Sequence, residues 1–196
     1  MTEGGLTFRS NRVVWGEVLM TDVRKFAAEA HAGQLYGILP YAVHLDAVEA
    51  VLIDYGYTDA VHRDGAQTHD IVEDTDLTAK DLLDAGIPDE VVAVALFCTD
   101  EDGPNRKTRK ALTYKRVHAL LSLYLKDHDA YPYVPTAIRV KLADRLANVR
   151  ACVRQGAEGR GLLKMYRREA VAFREALYHP GMADTMWEEY DKLMEG

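Results

Sequence analysis

With 196 residues, 48% hydrophobic and 28% charged, the chain has the make-up of a soluble globular protein with a sizeable core. No apolar run approaches the ~18 residues needed to span a bilayer. The formal net charge of -7 excludes a broad, sequence-independent grip on polymeric nucleic acid, which needs many Lys and Arg on phosphates. It leaves room for a small phosphorylated substrate held by a local cluster.

Residues 1–17 carry few periodic apolar positions and read as a lead-in docking Phe8 and Trp15, with a single domain over 18–196. Thr21 is a candidate N-cap for a helix along Val23, Phe26, Ala27 and Ala30 that stops at Gly33. A loop over 34–39 is closed by Pro40 in the first turn of a second helix, which carries Val43, His44, Ala47, Val48 and Val51 and ends before Gly56. A third helix is expected over 58–74, a short one over 78–86, and a buried one opened by Pro88. The polar stretch 99–110 reads as a loop of mixed charge, followed by helices at 111–127, 135–153, 160–178 and 182–194. Strand signals are nearly absent, so the expectation is an all-α domain of about eight or nine helices. Cys98 and Cys152 lie in apolar stretches without CxxC spacing and read as buried reduced thiols. The N-terminus lacks the basic and apolar regions of a signal peptide, so a cytoplasmic location is expected.

The chemistry concentrates in Gln67-Thr68-His69-Asp70-Ile71-Val72-Glu73-Asp74-Thr75. On a helix, His69 and Glu73 share one face and Asp70 and Asp74 another. Four ionisable groups in six residues suit a divalent ion with carboxylates left over for proton transfer. Two further stretches each add a potential ligand to an apolar helix: Pro40-Tyr41-Ala42-Val43-His44, and Lys141-Leu142-Ala143-Asp144-Arg145-Leu146-Ala147-Asn148. Taken alone, His44 reads as a core histidine and Asp144 as a partner for Lys141 or Arg145. A helical domain can assemble such groups inside its bundle.

These stretches, with Ala30-His31-Ala32-Gly33-Gln34, resemble the HD-domain metal-dependent phosphohydrolases, and among them the (p)ppGpp hydrolase branch of RelA/SpoT proteins and its small single-domain relatives. The resemblance implies a helical HD bundle. It implies one divalent ion, manganese in most of the family, held by His44, His69, Asp70 and Asp144. Glu73 and Asp74 match the pair that handles the attacking water and the leaving oxygen, and Asn148 matches a substrate-lining residue. Two imidazoles and two carboxylates also suit manganese better than calcium or magnesium. The family's hydrolase branch follows its Gly-Gln with a phosphate-binding Arg-Lys pair, where Leu35-Tyr36-Gly37 stand here. Arg106, Lys107, Arg109 and Lys110 either stand in for that pair or form a solvated loop; Lys107 and Arg109 are taken as candidate grips. Tyr36 is a candidate for stacking on a base. The implied activity is hydrolysis of a nucleotide, a (p)ppGpp-type 3′-pyrophosphate or another phosphorylated nucleotide (a dNTP, a nucleoside monophosphate or NADPH). A non-catalytic nucleotide sensor is the alternative.

Overall fold

The computed structural model describes residues 12–15 and 18–195. Phe8 lies outside them, as does the side chain of Trp15, so their expected docking does too.

Ten helices and two short antiparallel pairs occur among the described residues. Strand β1 (Arg12–Trp15) pairs with β2 (Val18–Thr21), and α1 (Val23–Ala30) follows. Asp22, not Thr21, caps α1: its carboxylate accepts the Lys25 N–H at 3.0 Å, while the Thr21 hydroxyl donates to the Ala85 carbonyl instead. The expected loop over 34–39 is a two-residue hairpin, β3 (Leu35–Tyr36) and β4 (Leu39–Pro40). Gly37, at φ +65°, supplies the left-handed turn residue that so tight a connection needs. Pro40 therefore belongs to β4, and α2 runs over Ala42–Asp54.

The expected 58–74 helix is two: α3 (Ala60–Thr68) and the single turn α4 (Ile71–Asp74). The cause is local. Nδ1 of His69 lies 2.8 Å from the Ala66 carbonyl, the acceptor that an unbroken helix would offer to the Asp70 N–H. Then come α5 (Ala79–Asp84), with a Thr78–Asp81 capping box, and α6 (Asp89–Cys98). Helix α7 (Arg106–Tyr124) starts five residues earlier than the 111 expected, because Asn105 caps the Thr108 N–H at 3.0 Å. Helices α8 (Val134–Arg154), α9 (Arg160–Leu177) and α10 (Asp184–Glu195) complete the chain.

Helix α8 is the axis. Ala137, Ile138, Val140, Leu142, Ala143, Leu146 and Val149 are fully buried, so it is apolar nearly all round and packs against α2, α3, α6, α9 and α10. A second, smaller core joins α1, α5 and α6 through Val23, Leu82, Val91 and Ala95, with Leu45 and Ile71. Gly65 lets α3 cross close to its neighbours: a Cβ there would stand 3.0 Å from a methyl of Val94 and 3.3 Å from one of Val140. That crossing seats His69, one turn later, between α2 and α8. No helix among the described residues is long and apolar enough to cross a membrane.

Candidate metal centre and cleft

Three elements deliver four donor side chains to one point. His44 comes from the first turn of α2, His69 and Asp70 from the break between α3 and α4, and Asp144 from the middle of α8. Nε2 of His69 lies 2.9 Å from Oδ2 of Asp70 and 3.8 Å from Oδ1 of Asp144. Nε2 of His44 lies 3.5 Å from Oδ2 of Asp70 and 3.3 Å from Oδ1 of Asp144. Donors sharing one ion at bonds of about 2.1 Å stand about 3 to 4 Å apart, so these separations suit a common cation. His44, His69 and Asp70 form the tightest group, with Asp144 at its edge.

The donor set fits an ion in a second way. Nε2 of His69 is buried and has no partner in hydrogen-bonding geometry. With Nδ1 donating to the Ala66 carbonyl, Nε2 is the nitrogen that faces the cluster, and once its proton is displaced it presents its lone pair to an ion. An unpartnered buried nitrogen is expensive unless something coordinates it.

Around the donors lies a ring of orienting groups. The Tyr41 hydroxyl donates to Oδ2 of Asp70 at 2.6 Å and approaches Oδ2 of Asp74 at 3.1 Å. Burial and the carboxylates beside it hold that phenol well above its usual range, so it stays a donor. His31 stacks on Tyr41 at 4.5 Å and pairs with Gln34 at 2.8 Å; Gln34 in turn donates to the Asp74 carbonyl at 2.5 Å. His31 thus braces the helix–loop junction and stands back from the cluster.

A cleft of about 140 Å³, partly open to solvent, lies over the cluster. Of the candidate residues, His44, His69, Asp70, Asp144, Glu73, Asn148 and Tyr36 line it. Oε2 of Glu73 accepts the Asp100 N–H at 2.9 Å. Desolvation in the cleft and the charge of Asp100 raise the Glu73 pKa. Asp74 is not among the lining residues; it reaches the site through Tyr41. Tyr36 spends its ring on His44, at 4.8 Å and 20° between planes, and its hydroxyl on Asn148.

The cationic wall differs from the expectation. Lys107 is exposed, and neither it nor Arg109 lines the cleft; Arg106 and Lys110 do, one turn apart on α7. They are joined by Lys141 and Arg145 of α8, which the sequence pointed to only as possible partners of Asp144. Burying two cations on a core helix demands partners. Glu169, which belongs to no motif, holds Arg106 at 2.8 and 3.1 Å and Arg145 at 3.2 Å. Asp100 holds Lys110 at 2.6 Å.

Burial works against the charged form of His44, but Asp144 and Asp70 outweigh it and lift its pKa to about 10; His69 is raised as well. Burial likewise opposes the charged forms of Asp70 and Asp144, and the two imidazoles outweigh it and pull both down. Near pH 7 the metal-free cluster therefore holds protons that a cation must displace. Divalent-ion affinity is expected to rise with pH up to about 10 and to fall toward acid. Calorimetric titration in two buffers of different ionisation enthalpy should show at least about one proton released per ion bound.

No family model and no curated protein sequence matches the chain. Solved structures do. A metazoan ortholog of SpoT, described as hydrolysing ppGpp and playing a role in starvation responses, superposes with a TM-score of 0.68 at 24% identity, over 88% of this chain and 92% of that one. A protein of Listeria monocytogenes EGD-e superposes with a TM-score of 0.57 at 22% identity, over 80% and 94%. At such identities the likeness speaks of architecture: the chain has the all-α bundle fold seen in the SpoT ortholog.

Proposed function

We propose that the chain is a metal-dependent phosphohydrolase acting on a small nucleotide. The observation that carries this reading is a single cleft in which a two-His, two-Asp donor set, a carboxylate outside that set and four cations face one space. His44, His69, Asp70 and Asp144 would hold one divalent ion, with manganese the expected metal. Bound there, the ion supplies Lewis acidity and charge neutralisation toward a phosphate and an attacking water. Glu73 takes the proton of that water: its Oε2 is fixed by the Asp100 N–H, which leaves Oε1 for the reaction, and its raised pKa strengthens it as a base. Asp74, through Tyr41, keeps Asp70 oriented. Arg106, Lys110, Lys141 and Arg145 bind phosphate oxygens; with Glu169 and Asp100 counted against them, that wall keeps a surplus of positive charge.

The likeness to a ppGpp-hydrolysing protein supports a (p)ppGpp-type 3′-pyrophosphohydrolase. One observation favours a second reading. Between Glu29 and Asp46 the sequence holds no Lys, Arg, Asp or Glu, so the hairpin side of the cleft brings no cation, and all four come from α7 and α8. Such a wall suits a nucleotide with its phosphates at one end, such as a dNTP or a nucleoside monophosphate, better than one phosphorylated at two separate places, such as NADPH or ppGpp. A panel of these nucleotides with Mn2+, scored separately for phosphate and pyrophosphate, is expected to show chelator-sensitive turnover of at least one. Binding of Mn2+ with no turnover of any would favour a nucleotide sensor.

A further inference from the structure

We propose that Tyr36 is a positioning residue for the metal centre, through which the β3–β4 hairpin sets two of the four donor side chains. The inference rests on the reading of the cluster as a divalent-ion site.

The contrast between the two imidazoles carries it. His69 is held in the usual way, by a hydrogen bond from its outer nitrogen to a carbonyl. His44 is not: its Nδ1 is buried and has no hydrogen-bond partner. What orients the His44 ring is aromatic packing, Tyr36 stacked on it at 4.8 Å and 20° and Tyr41 edge-on at 5.5 Å and 71°. A ring whose polar contacts lie all at Nε2, with no tether at Nδ1, can still tilt about its terminal torsion, and a stacked phenol opposes that motion.

The same phenol reaches a second donor. Its hydroxyl lies 2.8 Å from Oδ1 of Asn148, and Nδ2 of Asn148 donates to Oδ1 of Asp144 at 2.5 Å and to the Asp144 carbonyl at 3.1 Å. The amide could not be reversed without setting its oxygen against the Asp144 carboxylate, so Asp144 fixes which way Asn148 faces, and the Tyr36 hydroxyl holds the amide there through its Oδ1. Oδ1 of Asp144 is the oxygen that faces both imidazoles. The hairpin that carries Tyr36 is itself tied down, since the Tyr41 N–H donates to the Gln34 carbonyl at 3.1 Å and the Gln34 side chain reaches α4.

The test is calorimetric titration of the full chain with Mn2+ alone, beside thermal melts of the metal-free protein. Tyr36→Phe keeps the stack and removes the relay; it is expected to weaken Mn2+ binding about tenfold while leaving the metal-free Tm unmoved. Tyr36→Ala removes both and is expected to approach a ~100-fold loss. Asn148→Ala breaks the same relay, so the Tyr36→Phe, Asn148→Ala double variant should bind like Asn148→Ala alone. Unchanged affinity in Tyr36→Phe, additive losses in the double variant, or a fall in the metal-free Tm that accounts for the weaker binding would each overturn the proposal. Absence of Mn2+ binding in the unsubstituted chain would instead overturn the reading of the cluster as a metal site.

Discussion

Asp70→Ala is expected to abolish both metal uptake and turnover. One oxygen of this carboxylate makes three of the site's contacts: 2.9 Å to Nε2 of His69, 3.5 Å to Nε2 of His44 and 2.6 Å to the Tyr41 hydroxyl. Its removal takes away a donor, the partner that pulls on both imidazole protons, and the anchor of the orienting phenol. Loss of an outer-sphere partner alone weakens metal affinity about 10- to 100-fold, so loss of this inner one should exceed the upper end of that range. Turnover should fall with it, by about a thousandfold or more at micromolar metal, a change of about 4 kcal/mol in the barrier. Elemental analysis of the purified variant and assays across a metal titration check this. Retention of stoichiometric metal by Asp70→Ala would mean that the cluster is not the ion's seat, and the hydrolase reading would lose its foundation.

The donors were legible in the sequence for a reason that limits what else was. Spacing showed the His69–Asp70 cluster but left His44 a core histidine and Asp144 a partner for Lys141 or Arg145, and it was the resemblance that joined the four as candidate donors. The break at His69 was not legible, because a ring nitrogen competing for the Ala66 carbonyl leaves no trace in periodicity. The cationic wall was misassigned by phase. A helix taken to start at 111 leaves residues 106–110 without a face, and only the Asn105 cap turns Arg106 and Lys110 toward the cleft and Lys107 away. Glu169 was invisible for a different reason. It stands alone in an amphipathic helix, and its importance comes from two arginines on α7 and α8 that reach it only once the bundle has closed. Tyr36 reads in the sequence as a loop aromatic for stacking on a base, but its ring is occupied by His44 and its hydroxyl by Asn148, which is a tertiary fact.

Glu73→Gln separates chemistry from metal binding, and its expected outcome is a protein that loads normally and barely turns over. Glu73 is absent from the tight donor group, and an amide oxygen can accept the Asp100 N–H as the carboxylate does at 2.9 Å, so geometry and metal content should survive. The proton acceptor does not survive. General-base catalysis contributes typically about 10²- to 10⁴-fold, and kcat is expected to fall by that factor with KM little changed. The pH profile supplies the sign. Burial and the neighbouring Asp100 charge raise the Glu73 pKa, so in the unsubstituted chain the active, deprotonated form is lost as pH falls through that raised value, giving kcat an acid limb. In the Gln variant that limb should vanish, leaving only the dependence that comes from metal loading, which saturating Mn2+ suppresses. An acid limb persisting at full metal occupancy would assign the base to another group, with Asp74 the nearest carboxylate that also has a raised pKa.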